Sequence, residues 1–297
     1  MNHEHDDDDL FERGLAFDLD TARGLSRRRA LGLLGLGAVA LVGCAKGATT
    51  ATSATTSATS ATTATTAAAS TGGPPAGGGP GGGGGVAATA EGAIPEETAG
   101  PYPGDGSNGP NVLVEDGVVR SDITRSFGDA TAATATGVPL AIELTVTDRT
   151  TGAAKPGAAV YVWHADQQGR YSMYSSGVED INYLRGVQEA DGDGKVRFTS
   201  IYPACYDGRW PHVHFEVYSS LADATAAGDP VATSQLAMPD ATNAAVFATS
   251  GYEASVSNYS RVSLSTDMVF SDGADQETPT ITGDVTSGLT ASLTVPV

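Results

Sequence analysis

A low-complexity tract over residues 45–92 sets the strongest limit on what this chain can fold into. It contains the Ala/Thr/Ser run TTATSATTSATSATTATTAAAS and then the Gly/Pro run GGPPAGGGPGGGGG. Such segments bury too little apolar surface to offset the entropy of ordering them, so we expect a disordered linker. Of the 297 residues, those over 93–297 remain for one globular domain, which is long enough for a single substantial core.

Residues 1–44 have the features of a bacterial export signal. Three arginines at 27–29 precede an apolar stretch over 30–43, which is shorter than the roughly 20 residues that a membrane-spanning helix needs. The arginines resemble a twin-arginine signal, although Ala30 stands where Phe is usual, and Sec export is the alternative. The sequence LVGC resembles a lipobox, in which the cysteine is lipidated. We therefore expect an exported protein anchored to the membrane through Cys44.

The charge balance and the cysteines narrow the possible partners. The chain has 35 acidic and 16 basic side chains, a formal net charge of −19. Nucleic acid is excluded as a partner because it binds clustered Lys and Arg, and anionic lipid is disfavoured for the same reason. If Cys44 carries a lipid, Cys205 has no partner for an intramolecular disulfide, so the domain depends on its core and on any bound metal.

Alternating apolar and polar residues predict short β-strands from Leu140 onward. In AIELTVTD, Ile142, Leu144 and Val146 share one face of a half-buried strand. Further strands are predicted at residues 159–165, 196–201, 212–219, 261–270 and 289–297, with an Asp-Gly hairpin turn at 190–194. No stretch has sustained helical periodicity with caps. The predicted fold class is therefore all-β, an antiparallel β-sandwich or barrel.

The sequence His212-Val213-His214 is the first candidate for chemistry. On a strand, side chains two apart share a face, so both imidazoles can reach one point while Val213 points the other way. Two surface histidines on an edge strand are the alternative interpretation. The other three histidines of the chain are His164 and the pair His3 and His5 in an acidic N-terminal segment.

Two tyrosines strengthen the metal interpretation. Tyr206 lies six residues before His212, and Tyr171 ends the segment WHADQQGRY. Phenolate is a hard oxygen donor and imidazole a borderline nitrogen donor, a mixture that suits Fe(III) better than Zn(II) or Cu(I). A bound trivalent cation would also lower the pKa of a phenol far below its usual value of about 10.

Four segments in sequence order resemble the intradiol ring-cleavage dioxygenases, the family of catechol and protocatechuate dioxygenases. They are ETAGPYPG (97–104), AVYVWHADQQGRY (159–171), DGKVRFTSIYPACY (193–206) and GRWPHVHFEV (208–217). Members of this family hold non-haem Fe(III) with two Tyr and two His in a β-sandwich. The resemblance implies that Tyr171, Tyr206, His212 and His214 are the iron ligands.

The resemblance also implies a reaction. The substrates would be a small aromatic diol and O2, and the ring would be cleaved between its hydroxyl-bearing carbons to give a muconate-type diacid. Tyr206 would be the ligand that the substrate displaces, while Tyr171 stays. Arg209 would stabilise negative charge developing near the iron, with a surface salt bridge as its alternative role. The ring substituents and the oligomeric state stay open.

Three further residues receive weaker assignments. Trp163 is predicted to belong to the core rather than to contact substrate. His164 is predicted to donate or accept a hydrogen bond near the site rather than to bind metal. Tyr102 is predicted either to line the mouth of the pocket or to pack in the interior.

Two other functions remain as alternatives. One is a non-catalytic β-sandwich lipoprotein that binds a ligand or partner and keeps the fold without the chemistry. The other is a copper or zinc carrier built on the two histidines, which leaves Tyr171, Tyr206 and Arg209 without a role.

Overall fold

The computed structural model of the protein describes residues 92–297, which form a mostly β domain. The predicted export signal (1–44) and all but the last position of the predicted linker (45–92) lie outside the described residues. The strands are β1 (Pro139–Thr147), β2 (Ala159–Trp163), β3 (Arg185–Glu189), β4 (Lys195–Ile201), β5 (His212–Tyr218), β6 (Ala232–Ala237), β7 (Thr280–Asp284) and β8 (Gly288–Pro296). The α-helices are α1 (Leu221–Thr225), α2 (Asp240–Phe247) and α3 (Glu253–Tyr259).

These strands form two four-stranded sheets. The first has the order β4-β1-β8-β7 and the second β3-β2-β5-β6. The second sheet is antiparallel throughout, whereas β1 pairs in parallel with β8. The prediction of short strands is therefore confirmed, but an entirely antiparallel fold is wrong for this pair. Because β8 follows β1 only after a long stretch of chain, no hairpin forces the two strands to run in opposite directions.

The two sheets share one hydrophobic core. The alternation read in the sequence is present in β1, where Leu140, Ile142, Leu144 and Val146 are buried and the residues between them are partly exposed. Residues from both sheets belong to the same buried cluster, with Val160, Val162, Val213, Phe215 and Val217 contributed by the second sheet. This core fixes the inner face of the second sheet.

The other face of the second sheet is also buried. Every residue of β5 is enclosed, with Val213 in the shared core as predicted. A second cluster covers the opposite face and combines strand residues with residues from the segments before β1 and after β2, including Val112, Leu113, Trp163 and Tyr171. His212 and His214 therefore lie inside the domain rather than on an exposed edge.

A strand predicted at residues 261–270 is wrong. This segment forms turns followed by a single turn of 3₁₀ helix at Phe270–Asp272. The Asp267 carboxylate accepts hydrogen bonds from the backbone N–H groups of Val269 and Phe270. Thr266 Oγ1 likewise accepts one from the Ser263 backbone. Such local bonds to side chains satisfy the backbone and compete with strand pairing.

Short elements account for the other differences from the predicted strands. The three α-helices have 5, 8 and 7 residues, which is too short to produce a sustained helical pattern. Strands β3, β6 and β7 were not predicted because their sequences (RGVQE, ATSQLA and TITGD) lack a clear alternation. No helix in the span 92–297 is long and apolar enough to cross a membrane.

The turn at residues 190–194 is present, but it does not close a hairpin. Asp191 accepts hydrogen bonds from the backbone N–H groups of Asp193 and Lys195. The strands on either side, β3 and β4, belong to different sheets. The Asp-Gly sequence was therefore correctly predicted to form a turn. This turn connects β3 of the second sheet to β4 of the first sheet.

Candidate metal centre

The four residues predicted as metal ligands meet at one point. His212 Nε2 lies 3.0 Å from His214 Nε2, 3.1 Å from the Tyr206 hydroxyl oxygen and 3.3 Å from the Tyr171 hydroxyl oxygen. Both histidines and Tyr171 are about 2% exposed, whereas Tyr206 is only partly buried. Strand β5 supplies the two imidazoles, and loops supply the two phenols.

A single carboxylate organises the loop that presents Tyr171. Asp166 accepts hydrogen bonds from the backbone N–H groups of Gln168 and Arg170 and from the Arg170 guanidinium. It also accepts one from the Tyr183 hydroxyl. Because these contacts fix both the start and the end of the turn, the residue that follows it, Tyr171, is held in one position.

Helix α3 holds the loop that presents Tyr206. Ser255 Oγ accepts a hydrogen bond from the Cys205 backbone N–H, and the Asn258 side chain donates to the Cys205 carbonyl. Gly169, at φ +84°, lies beneath Tyr206, and a Cβ there would be 3.1 Å from the Tyr206 Cβ. The loop carrying Tyr171 therefore leaves room for the second tyrosine by means of a glycine.

The hydrogen bonds of His212 define its tautomer. Its Nδ1 lies 2.5 Å from the Trp210 carbonyl oxygen, which can only accept, so Nδ1 carries the proton. Burial and the positive charge of Arg209 lower the pKa of His212, and burial and the neighbouring His212 lower that of His214. The imidazoles are thus neutral. His212 Nε2 has one lone pair, and three other potential metal-ligand atoms surround it: His214 Nε2 and the hydroxyl oxygens of Tyr206 and Tyr171.

The separations between these four atoms fit the coordination of one metal ion better than they fit a set of hydrogen bonds. Two ligand atoms that are each about 2.1 Å from one metal lie about 3.0–3.4 Å apart, which matches the observed separations. His214 Nδ1 is buried and has no hydrogen-bond partner among the described residues. No group of three or more His, Cys, Asp or Glu in the described part of the chain could hold a metal, so the donor set depends on the tyrosine oxygens.

Arg209 lies next to this point in a buried network. Its Nε donates to Asp267 Oδ2 at 3.0 Å, and its Nη2 donates to Gln235 Oε1 at 2.8 Å. Arg209 and Asp267 are both almost fully enclosed, so the alternative of a surface salt bridge is wrong. The sequence contained no signal for Asp267 because 57 residues separate it from its Trp210 backbone donor.

The structure also shows where the three residues with weaker assignments lie. Trp163 is fully buried, as predicted, and its ring stacks on His214 with centroids 4.9 Å apart. His164 bonds to the Ala165 carbonyl and to Ser200 Oγ, and burial lowers its pKa to about 4. Tyr102 packs against Tyr171, with ring centroids 4.9 Å apart.

Buried carboxyl groups lie beyond the Arg209–Asp267 pair. Burial and neighbouring Asp272 raise the pKa of Glu97 to about 8, although Arg209 opposes the rise. Burial and Glu97 raise the pKa of Glu277 to about 9. Both groups are therefore protonated at neutral pH, and Asp267 is the direct carboxylate partner of Arg209.

Comparisons with known proteins find similar sequences and similar folds. The family model described as Dioxygenase matches residues 109–225. The chlorocatechol 1,2-dioxygenase of Rhodococcus opacus is 38% identical over 58 residues, which cover 20% of this chain and 23% of that enzyme. The match therefore spans less than a quarter of this curated relative.

Solved structures give the fold. An intradiol ring-cleavage dioxygenase from Tetranychus urticae is 23% identical with a TM-score of 0.52, over 68% of this chain and 92% of that one. A second dioxygenase crystal structure is 24% identical with a TM-score of 0.53, over 68% of this chain and 91% of that one. The described domain thus has the fold of these enzymes.

We predict that Asp267→Asn destabilises the domain strongly. The substitution leaves the Arg209 charge buried without its carboxylate, a change that costs about 3–5 kcal/mol of unfolding free energy. Chemical denaturation of both forms measures the loss. The matched control is Asp207→Asn, because Asp207 pairs with Arg261 on the surface and such pairs contribute about 0–1 kcal/mol. Equal losses in the two variants would contradict the prediction.

We predict that Glu277→Gln changes how stability depends on pH. Folded Glu277 keeps its proton to a pH of about 9, whereas the unfolded chain releases it near 4.5, so the wild type loses stability as pH rises between these values. Glutamine does not titrate. The variant should match the wild type near pH 4 and exceed its unfolding free energy by about 2–5 kcal/mol at pH 8.

Denaturation at a series of pH values measures this difference. Glu179→Gln removes an exposed carboxyl and serves as the control, with no comparable pH-dependent gain. If Glu277→Gln and the wild type follow parallel curves from pH 5 to 8, the buried proton is not on Glu277.

Proposed function

We propose that the protein is a non-haem Fe(III) intradiol dioxygenase, because residues 109–225 match the family model described as Dioxygenase and the domain has the fold of an intradiol ring-cleavage dioxygenase. Its substrates would be a catechol-type aromatic diol and O2, and its product a muconate-type diacid. The observation that carries this proposal is the convergence of Tyr171, Tyr206, His212 and His214 on one point.

The donor set suits ferric iron. Tyr171 and Tyr206 would bind it through phenolate oxygens, and His212 and His214 through Nε2, which are hard and borderline donors respectively. When bound, the iron would supply Lewis acidity to both oxygens of the diol, which would make the ring reactive towards O2. Trp163, stacked on His214, keeps the second imidazole ring in its orientation.

The two tyrosines are not equivalent. Tyr171 is enclosed in the aromatic cluster, whereas Tyr206 is partly exposed and lies on a loop. Tyr206 can therefore move away from the site at a smaller packing cost. We assign to Tyr206 the role of the ligand that the substrate would displace, and its phenolate oxygen would take a proton from one hydroxyl group of the diol. Tyr171 would stay in place.

Arg209 supplies fixed positive charge beside the site. Asp267 and Gln235 hold its guanidinium in place, so little reorganisation is needed when negative charge develops on the substrate. Burial is the main cause of the lowered pKa of both histidines, and the positive charge of Arg209 lowers these pKa values further. The histidines therefore remain neutral and able to donate their Nε2 lone pairs.

We also propose that the enzyme acts outside the cytoplasm on a lipid anchor at Cys44. The support is the order of the sequence: arginines at 27–29, a short apolar run over 30–43, the cysteine, and then the Ala/Thr/Ser and Gly/Pro tract. A flexible tract of about 48 residues has a root-mean-square span of roughly 35–40 Å. Such a tether would let the domain stand away from the membrane surface.

Replacing Tyr171 with Phe tests the proposed chemistry. The full-length wild type, loaded with iron, should have a visible tyrosinate-to-iron absorption band that shifts when catechol is added without O2. Tyr171→Phe should weaken iron retention and turnover by at least about 100-fold, because a ligand is lost. Metal analysis, the visible spectrum and catechol consumption measure these effects.

The matched control is Tyr259→Phe, which removes a partly buried hydroxyl bonded to Asp240 and should leave iron content and spectrum unchanged. A wild-type protein that stays colourless and iron-free after reconstitution would refute the proposal and favour the ligand-binding alternative. A protein that binds copper or zinc instead, independently of Tyr171, would favour the metal-carrier alternative.

Replacing Cys44 with Ala tests the proposed anchor. In bacterial cells that express the full chain, the wild type should fractionate with membranes and incorporate a labelled fatty acid, because a lipid tail adds about 0.8 kcal/mol of membrane affinity per buried CH2. The variant should lose both properties. Cys205→Ala, which removes the buried cysteine, is the control. Membrane association of Cys44→Ala equal to the wild type would contradict the anchor.

A further inference from the structure

One row of buried side chains crosses the second sheet through the candidate metal centre. Strand register pairs Arg185 with Trp163, Trp163 with His214, and His214 with Gln235. All four are buried. Because directly paired residues of neighbouring strands share a face, the row begins at β3 with Arg185, passes the metal-ligand candidate His214, and ends at β6 with Gln235.

The two ends of this row hold one segment before β1. We call residues 97–104 the strap. Near its start, the Gln235 amide donates to the Thr98 carbonyl at 2.8 Å. Near its end, the Arg185 guanidinium donates to the carbonyls of Tyr102 and Pro103 at 2.9 and 2.8 Å. The strap is therefore attached at opposite edges of the sheet and crosses the face that carries His214.

Arg185 uses all five of its N–H donors on neutral oxygens. Besides the two strap carbonyls, it donates to the Tyr161 hydroxyl and to both the side-chain and backbone oxygens of Ser172. A guanidinium has five donors in a fixed planar fork. A lysine has the same charge with three donors on one atom, so it cannot reach this set of oxygens.

The end of the strap is complementary in shape and hydrogen bonding to the Arg185 guanidinium. Gly104 has φ +68°, and a Cβ there would lie 2.8 Å from Arg185 Nη1. The Tyr161 hydroxyl donates to the Pro103 carbonyl at 2.6 Å, beside the bond that Arg185 makes to the same oxygen. The Tyr174 hydroxyl accepts from the Gly104 N–H. The end of the strap is thus shaped around Arg185 from several sides.

The same guanidinium also fixes the loop of Tyr171. Ser172, which receives two of its bonds, directly follows Tyr171. The strap residue bonded to Arg185, Tyr102, packs its ring on that of Tyr171 at 4.9 Å between centroids. Arg185 therefore determines the relative position of two aromatic rings that belong to segments about 70 residues apart in sequence.

We propose that Arg185 is a positioning residue that locks the strap over the metal centre and sets the contact between Tyr102 and Tyr171. It touches neither the metal-ligand atoms nor the substrate in this role and acts through the strap and through Ser172. Its effect on turnover rests on the proposed dioxygenase function, whereas its effect on the strap does not.

Hydrogen exchange of the strap in the full-length protein tests the lock without any metal. Arg185→Lys should speed exchange of the Tyr102 and Gly104 amides at least about tenfold, because local opening becomes easier, while amides of β8 keep their wild-type rates. Arg197→Lys is the matched control, since Arg197 lies on β4, is mostly exposed and pairs with Glu143. It should leave strap exchange unchanged.

A milder variant covers the case in which Arg185→Lys unfolds more widely. Tyr161→Phe removes one hydroxyl from the lock and should also accelerate strap exchange selectively, by a smaller factor. Strap amides that exchange at wild-type rates in Tyr161→Phe, together with wild-type or uniformly raised rates in Arg185→Lys, would overturn the proposal.

Iron-loaded protein supplies the second readout. Arg185→Lys should release iron to a chelator faster than the wild type and raise KM for catechol more than it lowers kcat, while Arg197→Lys does neither. Wild-type iron release and KM in a variant with an opened strap would overturn the link to the metal centre. If the wild type binds no iron, the proposed function fails, and the exchange experiment still decides whether Arg185 locks the strap.

Discussion

The burial of both faces of the second sheet is the constraint on which the rest of the structure depends. The inner face packs in the shared core through Val213 and Phe215, which leaves His212 and His214 on a face that must also be enclosed. Neutral imidazoles tolerate this burial because the Trp210 carbonyl accepts the Nδ1–H of His212 and the two Nε2 atoms face each other, whereas His214 Nδ1 has no hydrogen-bond partner among the described residues. A bound metal ion would satisfy buried polar atoms that hydrogen bonds leave unsatisfied.

The two buried guanidinium groups near the candidate metal centre, those of Arg209 and Arg185, have different hydrogen-bond partners. On the Arg209 side, the side chain of Asp267 pairs with the guanidinium, while burial raises the pKa of Glu97 and Glu277 so that both keep their protons. On the Arg185 side, the cation is surrounded by carbonyl and hydroxyl oxygens. Both arrangements keep a guanidinium rigid in the interior, and only the first neutralises it by direct pairing.

Sequence patterns correctly predicted the features that depend on residues close together in the chain. Alternation located β1, and the two-residue spacing placed His212 and His214 on one face of β5. Asp267, Gln235 and Arg185 could not be predicted as parts of the site, because their contacts join segments 26 to 83 residues apart. The strand predicted at 261–270 was wrong for a related reason: its serines, threonines and Asp267 bind the backbone instead of lining a strand.

The parallel pairing of β1 with β8 has a consequence for the order in which the domain can form. The centre of the first sheet joins residues 140–147 to residues 289–296, so it cannot close until residues 289–296 have been synthesised. Contacts of such long sequence separation are formed late and slowly. The strands of the second sheet, which carry the two histidines of the candidate metal centre, are therefore all synthesised before the first sheet can close.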